Sequence, residues 1–220
     1  MNDIQRVRGW FADGALLHPL KDRPGLVDFS RALYSLIGVP GLDAAGSVRE
    51  LAAEIGEARH YVLVLIDGLG MNMLERCPDA GLLKKHYRLE LRSVFPSTTA
   101  AALASLATAD YPSRHALTGW FVRLPDYGLT ATVLPFVERF SEKPLADFGV
   151  APSGVFRLDS LLPRAAHSPC TITLREIADS VCTRYLSGGT SALGCEGPGE
   201  AFALALELSL IHISEPTRPY

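Results

Sequence analysis

The run Tyr61–Ile66 is apolar without a break and stops abruptly at Asp67 and Gly68. An unbroken, partly β-branched run reads as a strand buried on both faces, with its polar residue delivered at the C-terminal end. The pattern predicts a strand over Arg59–Ile66 and a shorter one over Arg88–Val94. A turn at Pro96 then leads into an alanine-rich helix over Thr98–Ala109. Upstream, Phe29–Val39 and Val48–Ile55 carry apolar residues at helical spacing, and Ser47 with Glu50 has the form of a capping box for the second. Residues 1–28 read as an irregular lead-in containing Pro19 and Pro24. Downstream, Asn72–Arg76 and Ala80–Lys85 read as short helices, Ser113–Trp120 as a loop and Leu129–Leu134 as a strand. Pro135, Pro144 and Pro152 break any long element over 135–155. Leu161–Arg164 is helical at best, and Thr171–Ser180 reads as a short helix. Gly188, Gly189 and Gly194 loosen the next stretch, and Gly199–Glu207 opens a helix. No internal repeat is visible. Strands alternating with helices predict an α/β fold with a largely parallel sheet flanked by helices. In such a sheet the strand end at Asp67 and the helix start at Thr98–Thr99 lie along one carboxyl edge, where ligands bind.

Composition narrows the class. With 220 residues, 48% of them hydrophobic and 20% charged, the chain is long enough for one sizeable core. A net charge of −3 leaves no basic excess, so no nucleic-acid groove is expected. No apolar run reaches the roughly 18 residues of a membrane span, and the N-terminus lacks a signal-peptide core. Cys77, Cys170, Cys182 and Cys195 show no Cys-x-x-Cys pairing, which predicts reduced thiols in a cytoplasmic protein. The pattern is silent on oligomeric state. One choice of codons for Leu208–Arg218 spells a string that resembles the mosaic end and extension of a transposase sequencing adapter. The expectation is therefore that 208–220 is a non-native tail, that the reading frame is cut near Glu207, and that His212 is no ligand.

Asp67 at the end of a buried strand is costly unless paired. It either caps nearby backbone N–H groups or binds a metal. Thr98 and Thr99 have a similar pair of readings. Ser/Thr at a helix start is an N-cap, and the same free N–H groups and positive dipole end favour a phosphate or a developing alkoxide. Gly68 and Gly70 hint at a dinucleotide fingerprint, but the third glycine position is Met73, so the hint is weak. His60, His86, His115 and His167 read as packing or loop residues.

The combination of motifs says more than any one of them. Val64-Leu-Ile-Asp-Gly-Leu-Gly70 is followed by Phe95-Pro-Ser-Thr-Thr-Ala100 and by Thr108-Ala-Asp-Tyr-Pro-Ser-Arg-His-Ala116. Together they resemble the alkaline phosphatase superfamily, most closely its nucleotide pyrophosphatase/phosphodiesterase branch, over about residues 58–122. That branch has an apolar strand ending in Asp-Gly, a Pro-[Thr/Ser]-x-Thr segment and a Thr-Gly-x-x-Pro-x-x-His-Gly segment. The resemblance implies that Thr99, rather than Thr98, is the nucleophile. It also implies that Asp67 and Thr99 share one metal of a two-metal site, zinc first and manganese second. The substrate would be a small phosphoester or nucleotide, and His115 a structural loop residue. Trp120 stands where the eukaryotic-type enzymes place an Asn on a phosphoryl oxygen, so it becomes the candidate substrate contact. The family's later ligands, an Asp-x-x-x-His pair, an Asp-His pair and a late His, are absent before Glu207. Ser191 and Cys195 have the spacing of the first pair with the wrong side chains. The reading is thus that residues 1–207 are the N-terminal part of an alkaline-phosphatase-like phosphodiesterase domain. Alternatives are phosphomonoesterase, sulfatase or phosphonate hydrolase chemistry, or a fragment inactive for want of a complete metal site. A shared metal requires the Asp67 carboxylate and Thr99 hydroxyl to lie within about 6 Å, given metal–oxygen bonds of about 2.0–2.2 Å.

Overall fold

The computed structural model describes residues 2–16 and 24–214, with side chains described through Ser209. Helix α1 (Asp3–Ala12) occupies part of the stretch that reads as an irregular lead-in, because Asn2 and Gln5 form a reciprocal capping box. The lead-in's residues 17–23 lie outside the described residues. Helices α2 (Leu26–Leu36) and α3 (Gly46–Ile55) pack through Ala32, Val48 and Leu51. The Ser47/Glu50 box is not used. Arg49 draws the preceding loop back by donating to the carbonyls of Asp43 and Ala44, so α3 starts earlier, with Ala45 as its N-cap. Helices α4 (Met71–Arg76) and α5 (Gly81–Lys85) fall where the periodicity puts them, followed by α6 (Thr99–Thr108) and the single turn α7 (Pro112–His115).

An antiparallel sheet follows: β1 (Phe121–Leu124), β2 (Leu129–Thr132) and β3 (Val137–Glu138), in register Phe121↔Thr132 and Thr132↔Val137. The turn after β3 is held by Glu138, whose Oε2 accepts from the Phe140 and Ser141 N–H groups and the Ser141 hydroxyl. Those bonds hold its carboxyl below the ordinary range. After α8 (Pro152–Val155) come β4 (Cys170–Leu174), α9 (Arg175–Ala178), α10 (Val181–Leu186), β5 (Ser191–Cys195) and α11 (Pro198–Ser214). Two expectations are corrected here. Thr171–Ser180 is not one helix, since its β-branched start pairs as β4. The glycine-loosened stretch to Gly194 contains β5, parallel to β4. Gly194 is what that strand needs, because a Cβ there would sit 2.9 Å from the Arg175 Cα. The backbone of α11 runs past Glu207, whereas residues 215–220 and the His212 side chain lie outside the described ones.

The class is mixed α/β, but the expected large parallel sheet is not formed among the described residues. The sheets are β1-β2-β3 and the two-stranded β4-β5. Arg59–Ile66, expected as a buried central strand, is neither a strand nor buried. Val62, Leu63, Val64, Leu65 and Ile66 are each about half exposed or more. The physical reason is the lack of a neighbour: among the described residues no ladder bond joins 62–66 to another strand, and a strand exists only by pairing. Arg88–Val94 is reduced to one parallel bridge, in which Arg92 N–H donates to Pro24 O (3.1 Å) and Leu26 N–H to Arg92 O (2.8 Å).

The main core lies between α6 and the antiparallel sheet. Ala100 and Ala104 of α6 meet Leu117, Leu124, Val133, Leu145 and Phe156, and Tyr185 stacks on Phe156 at 3.9 Å. Each fully buried leucine or valine there contributes about 1.5–3 kcal/mol. Its small alanines let α6 also meet α2, through Ala101 against Val27 and Val94. The C-terminal end of α6 is clamped by three side chains of α2. Ser30 Oγ donates to Leu106 O (2.7 Å), Tyr34 OH to Ala107 O (3.1 Å) and Arg31 Nε to Ala109 O (3.0 Å). These fill carbonyls that a helix end leaves without partners. Burial pushes the Tyr34 phenol up to about 12, only partly offset by its bond with Ser160, so it stays a donor. All four cysteines are free, and among the described residues no helix is long and apolar enough to cross a membrane.

Candidate active site

The fixed helix α6 presents its first turn to the Asp67 turn. Gly68 makes that turn with φ of +76°, a conformation that costs an L side chain about 1–2 kcal/mol. Thr98 is the N-cap of α6, and its hydroxyl accepts from Ala101 N–H at 3.4 Å. Thr99 is the first helical residue, and its Oγ1 donates to Asp67 Oδ2 at 3.2 Å. The two hydroxyls therefore face different ways: one is turned back onto the helix, the other onto a carboxylate 32 residues earlier. Asp67 is exposed and Thr99 half-buried, so the pair is open to a ligand. Around it, the first N–H groups of α6 lack intrahelical acceptors and carry the positive end of the dipole. An apolar groove of about 360 Å³ lies nearby between Val64–Leu74 and Leu83–Leu89, but neither Asp67 nor Thr99 lines it.

Among the described residues no group of three or more His, Cys, Asp or Glu side chains is gathered. The oxygen donors brought together are those of Asp67 and Thr99. Ser191 and Cys195 do not join them, nor each other: on the strand β5 an i, i+4 pair is about 13 Å apart at 3.3 Å per residue. The Cys195 thiol is buried and donates to Thr173 O. Trp120 is half exposed at the start of the antiparallel sheet, its carbonyl accepting from Val133 N–H. No hydrogen bond or ring contact among the described residues joins it to Asp67 or Thr99.

His115 is fully buried. Its Nε2 lies 2.9 Å from Ser105 Oγ, and its Nδ1 accepts from Leu117 N–H at 3.2 Å. Burial lowers its pKa, with the Asp110 carboxylate opposing. Ser105 and the α2 clamp went unread in the sequence. The one signal for Ser105 is a polar residue on the inner side of an alanine-rich helix, ten positions before a histidine. The two alanines that stand where the family motif has glycine, Ala109 and Ala116, both have positive φ, +51° and +64°. The backbone thus keeps the left-handed turns that glycine suits.

The family model for type I phosphodiesterase / nucleotide pyrophosphatase matches residues 61–132, about a third of the chain. The matched stretch begins at the apolar run before Asp67, contains Thr99 and His115 and closes at the end of β2. It points to phosphoester hydrolysis as the reaction class. No curated protein and no solved structure matches the chain.

Proposed function

We propose, from the match of the type I phosphodiesterase / nucleotide pyrophosphatase family model to residues 61–132, that the parent protein hydrolyses phosphodiester or pyrophosphate bonds in a small phosphoester or nucleotide, with Thr99 as nucleophile. The observation that supports this is the 3.2 Å contact from Thr99 Oγ1 to Asp67 Oδ2 at an open helix start. Asp67 holds the hydroxyl proton at Oδ2 and keeps a Thr99 lone pair available for phosphorus. The helix N-terminus receives the phosphoryl oxygens. The Thr99 O–P bond forms as the leaving-group P–O bond breaks, its oxygen taking the electron pair. Water then attacks the same phosphorus and returns Thr99. A carboxylate and a hydroxyl this close suit one shared divalent cation, so Asp67 and Thr99 would hold it, zinc first and manganese second. When bound, such an ion supplies charge neutralisation at the reacting oxygens. Two oxygens fall short of the four or so donors that zinc takes. The donors that would complete a two-ion site are not gathered among the described residues, so we expect the 220-residue chain to be inactive.

The test compares two proteins on bis-p-nitrophenyl phosphate with added zinc or manganese. The parent protein should turn over; Thr99→Ala should abolish turnover and Thr99→Ser should retain part of it. The 220-residue chain should show neither turnover nor stoichiometric metal. Undiminished turnover in Thr99→Ala removes Thr99 as nucleophile. Robust metal-dependent turnover by the 220-residue chain means that the site is complete within it.

A further inference from the structure

We propose that His115 is a latch, held as the neutral Nε2–H tautomer between Ser105 and Leu117, that ties residues 116–120 to the helix bearing Thr99 and lets go in acid. The tautomer follows from the bonds. Leu117 N–H can only donate, so His115 Nδ1 accepts and carries no proton; the proton is on Nε2 and goes to Ser105 Oγ. Both nitrogens are filled only in the neutral ring. A proton on Nδ1 sets a donor against the Leu117 donor, in a place where His115 and Ser105 are both 0% exposed and water cannot step in. Ser105 belongs to α6, six residues after Thr99, and Leu117 is a buried member of the main core three residues before Trp120. Losing the Leu117 bond frees the chain between α7 and β1.

The charges around the ring are few. Asp110, in the turn between α6 and α7, favours protonation, but it is shared by Arg114 Nε at 3.5 Å and Arg31 Nη2 at 4.0 Å. From α6 the ring meets the uncharged Ser105, and from the core the apolar Leu117. Burial outweighs Asp110, so the folded pKa lies below the ordinary 6.5. The unfolded chain then binds the proton first. The latch's contribution is complete above 6.5 and is lost as pH falls towards the folded value. None of this depends on the hydrolase reading.

Two measurements on the 220-residue chain test the latch. Imidazole nitrogen NMR should show His115 as the Nε2–H tautomer at neutral pH. Between about pH 7.5 and pH 5, the protection of the Leu117 amide against hydrogen exchange should fall about tenfold per pH unit once the ring titrates, while the Ala104 amide in α6 holds. His115→Gln offers a donor and an acceptor that do not titrate, and should remove the acid step. If that variant does not fold, Ser105→Ala should move the step to lower pH, because the imidazolium loses its acceptor. An Nδ1–H tautomer overturns the proposal. So does Leu117 protection that lasts until the whole chain unfolds, or an acid step that persists in His115→Gln or stays in place in Ser105→Ala.

Discussion

Thr98 and Thr99 are adjacent, carry the same hydroxyl and face different partners. The N-cap residue has extended backbone, φ −105° and ψ 154°, which turns its side chain back over the helix end. The next residue is helical and points its hydroxyl away, to Asp67. Their substitutions should therefore separate in stability as well as in chemistry. Thr98→Ala should lower the unfolding free energy by about 1 kcal/mol. Thr99→Ala should stay within about 0.5 kcal/mol, as surface changes without a cap do. Urea midpoints of the two variants decide it, and equal losses contradict the division. The pair itself was legible in the sequence, since a buried-looking strand ending in Asp-Gly and a Ser/Thr helix start are local signals. What each hydroxyl faces is a matter of backbone angles at one position, which residue type does not specify. Ala116 makes the same point from the other side. It is exposed and sits at φ +64°, where an L side chain costs about 1–2 kcal/mol. Ala116→Gly should raise stability by up to about 1 kcal/mol once the extra freedom of glycine in the unfolded chain is subtracted. A thermal midpoint that fails to rise shows that the strain is not there.

At the scale of elements, α6 is held at one end and presents its chemistry at the other. Tyr34→Phe removes one of two donors to the Ala107 carbonyl, which keeps the Leu161 N–H at 2.8 Å, and should cost about 0.5–1.5 kcal/mol in a urea titration. Ser30→Ala should cost more, about 1–3 kcal/mol, because it takes away the side-chain donor at the Leu106 carbonyl in a buried place. A Tyr34→Phe variant as stable as the wild type means that the Leu161 N–H alone satisfies Ala107. The helices α2 to α6 were readable because their apolar spacing is written within a dozen residues. Of the strands only Leu129–Leu134 was read, as β2, because pairing needs a second segment. Arg59–Ile66 has the composition of a central strand and meets no ladder among the described residues. Thr171–Leu174 and Ser191–Cys195 look weak one at a time and become β4 and β5 through each other. The α2 clamp was out of reach for the same reason: it joins residues more than seventy positions apart.

For the whole molecule, the open row Val62–Ile66 is the feature with the largest consequence in solution. It is apolar, uncharged and rich in residues that favour strands, and its backbone groups meet no ladder partner among the described residues. The 220-residue chain should self-associate over about 1–100 μM, the range in which such surfaces aggregate. Val64→Lys should reduce that association without loss of fold, since Val64 is half exposed. Sedimentation velocity across that range settles it; a wild-type chain that stays monomeric at the top concentration ends the idea. The main core behaves differently, since every one of its buried members falls between Ala100 and Phe156. During synthesis, at about 5–20 residues per second, that stretch emerges within several seconds and has its core partners at hand. Helix α2 is made earlier and packs on α3 at once, but its donors Ser30, Arg31 and Tyr34 wait for the carbonyls of α6. The ribosome thus delivers the clamp before the helix that it holds.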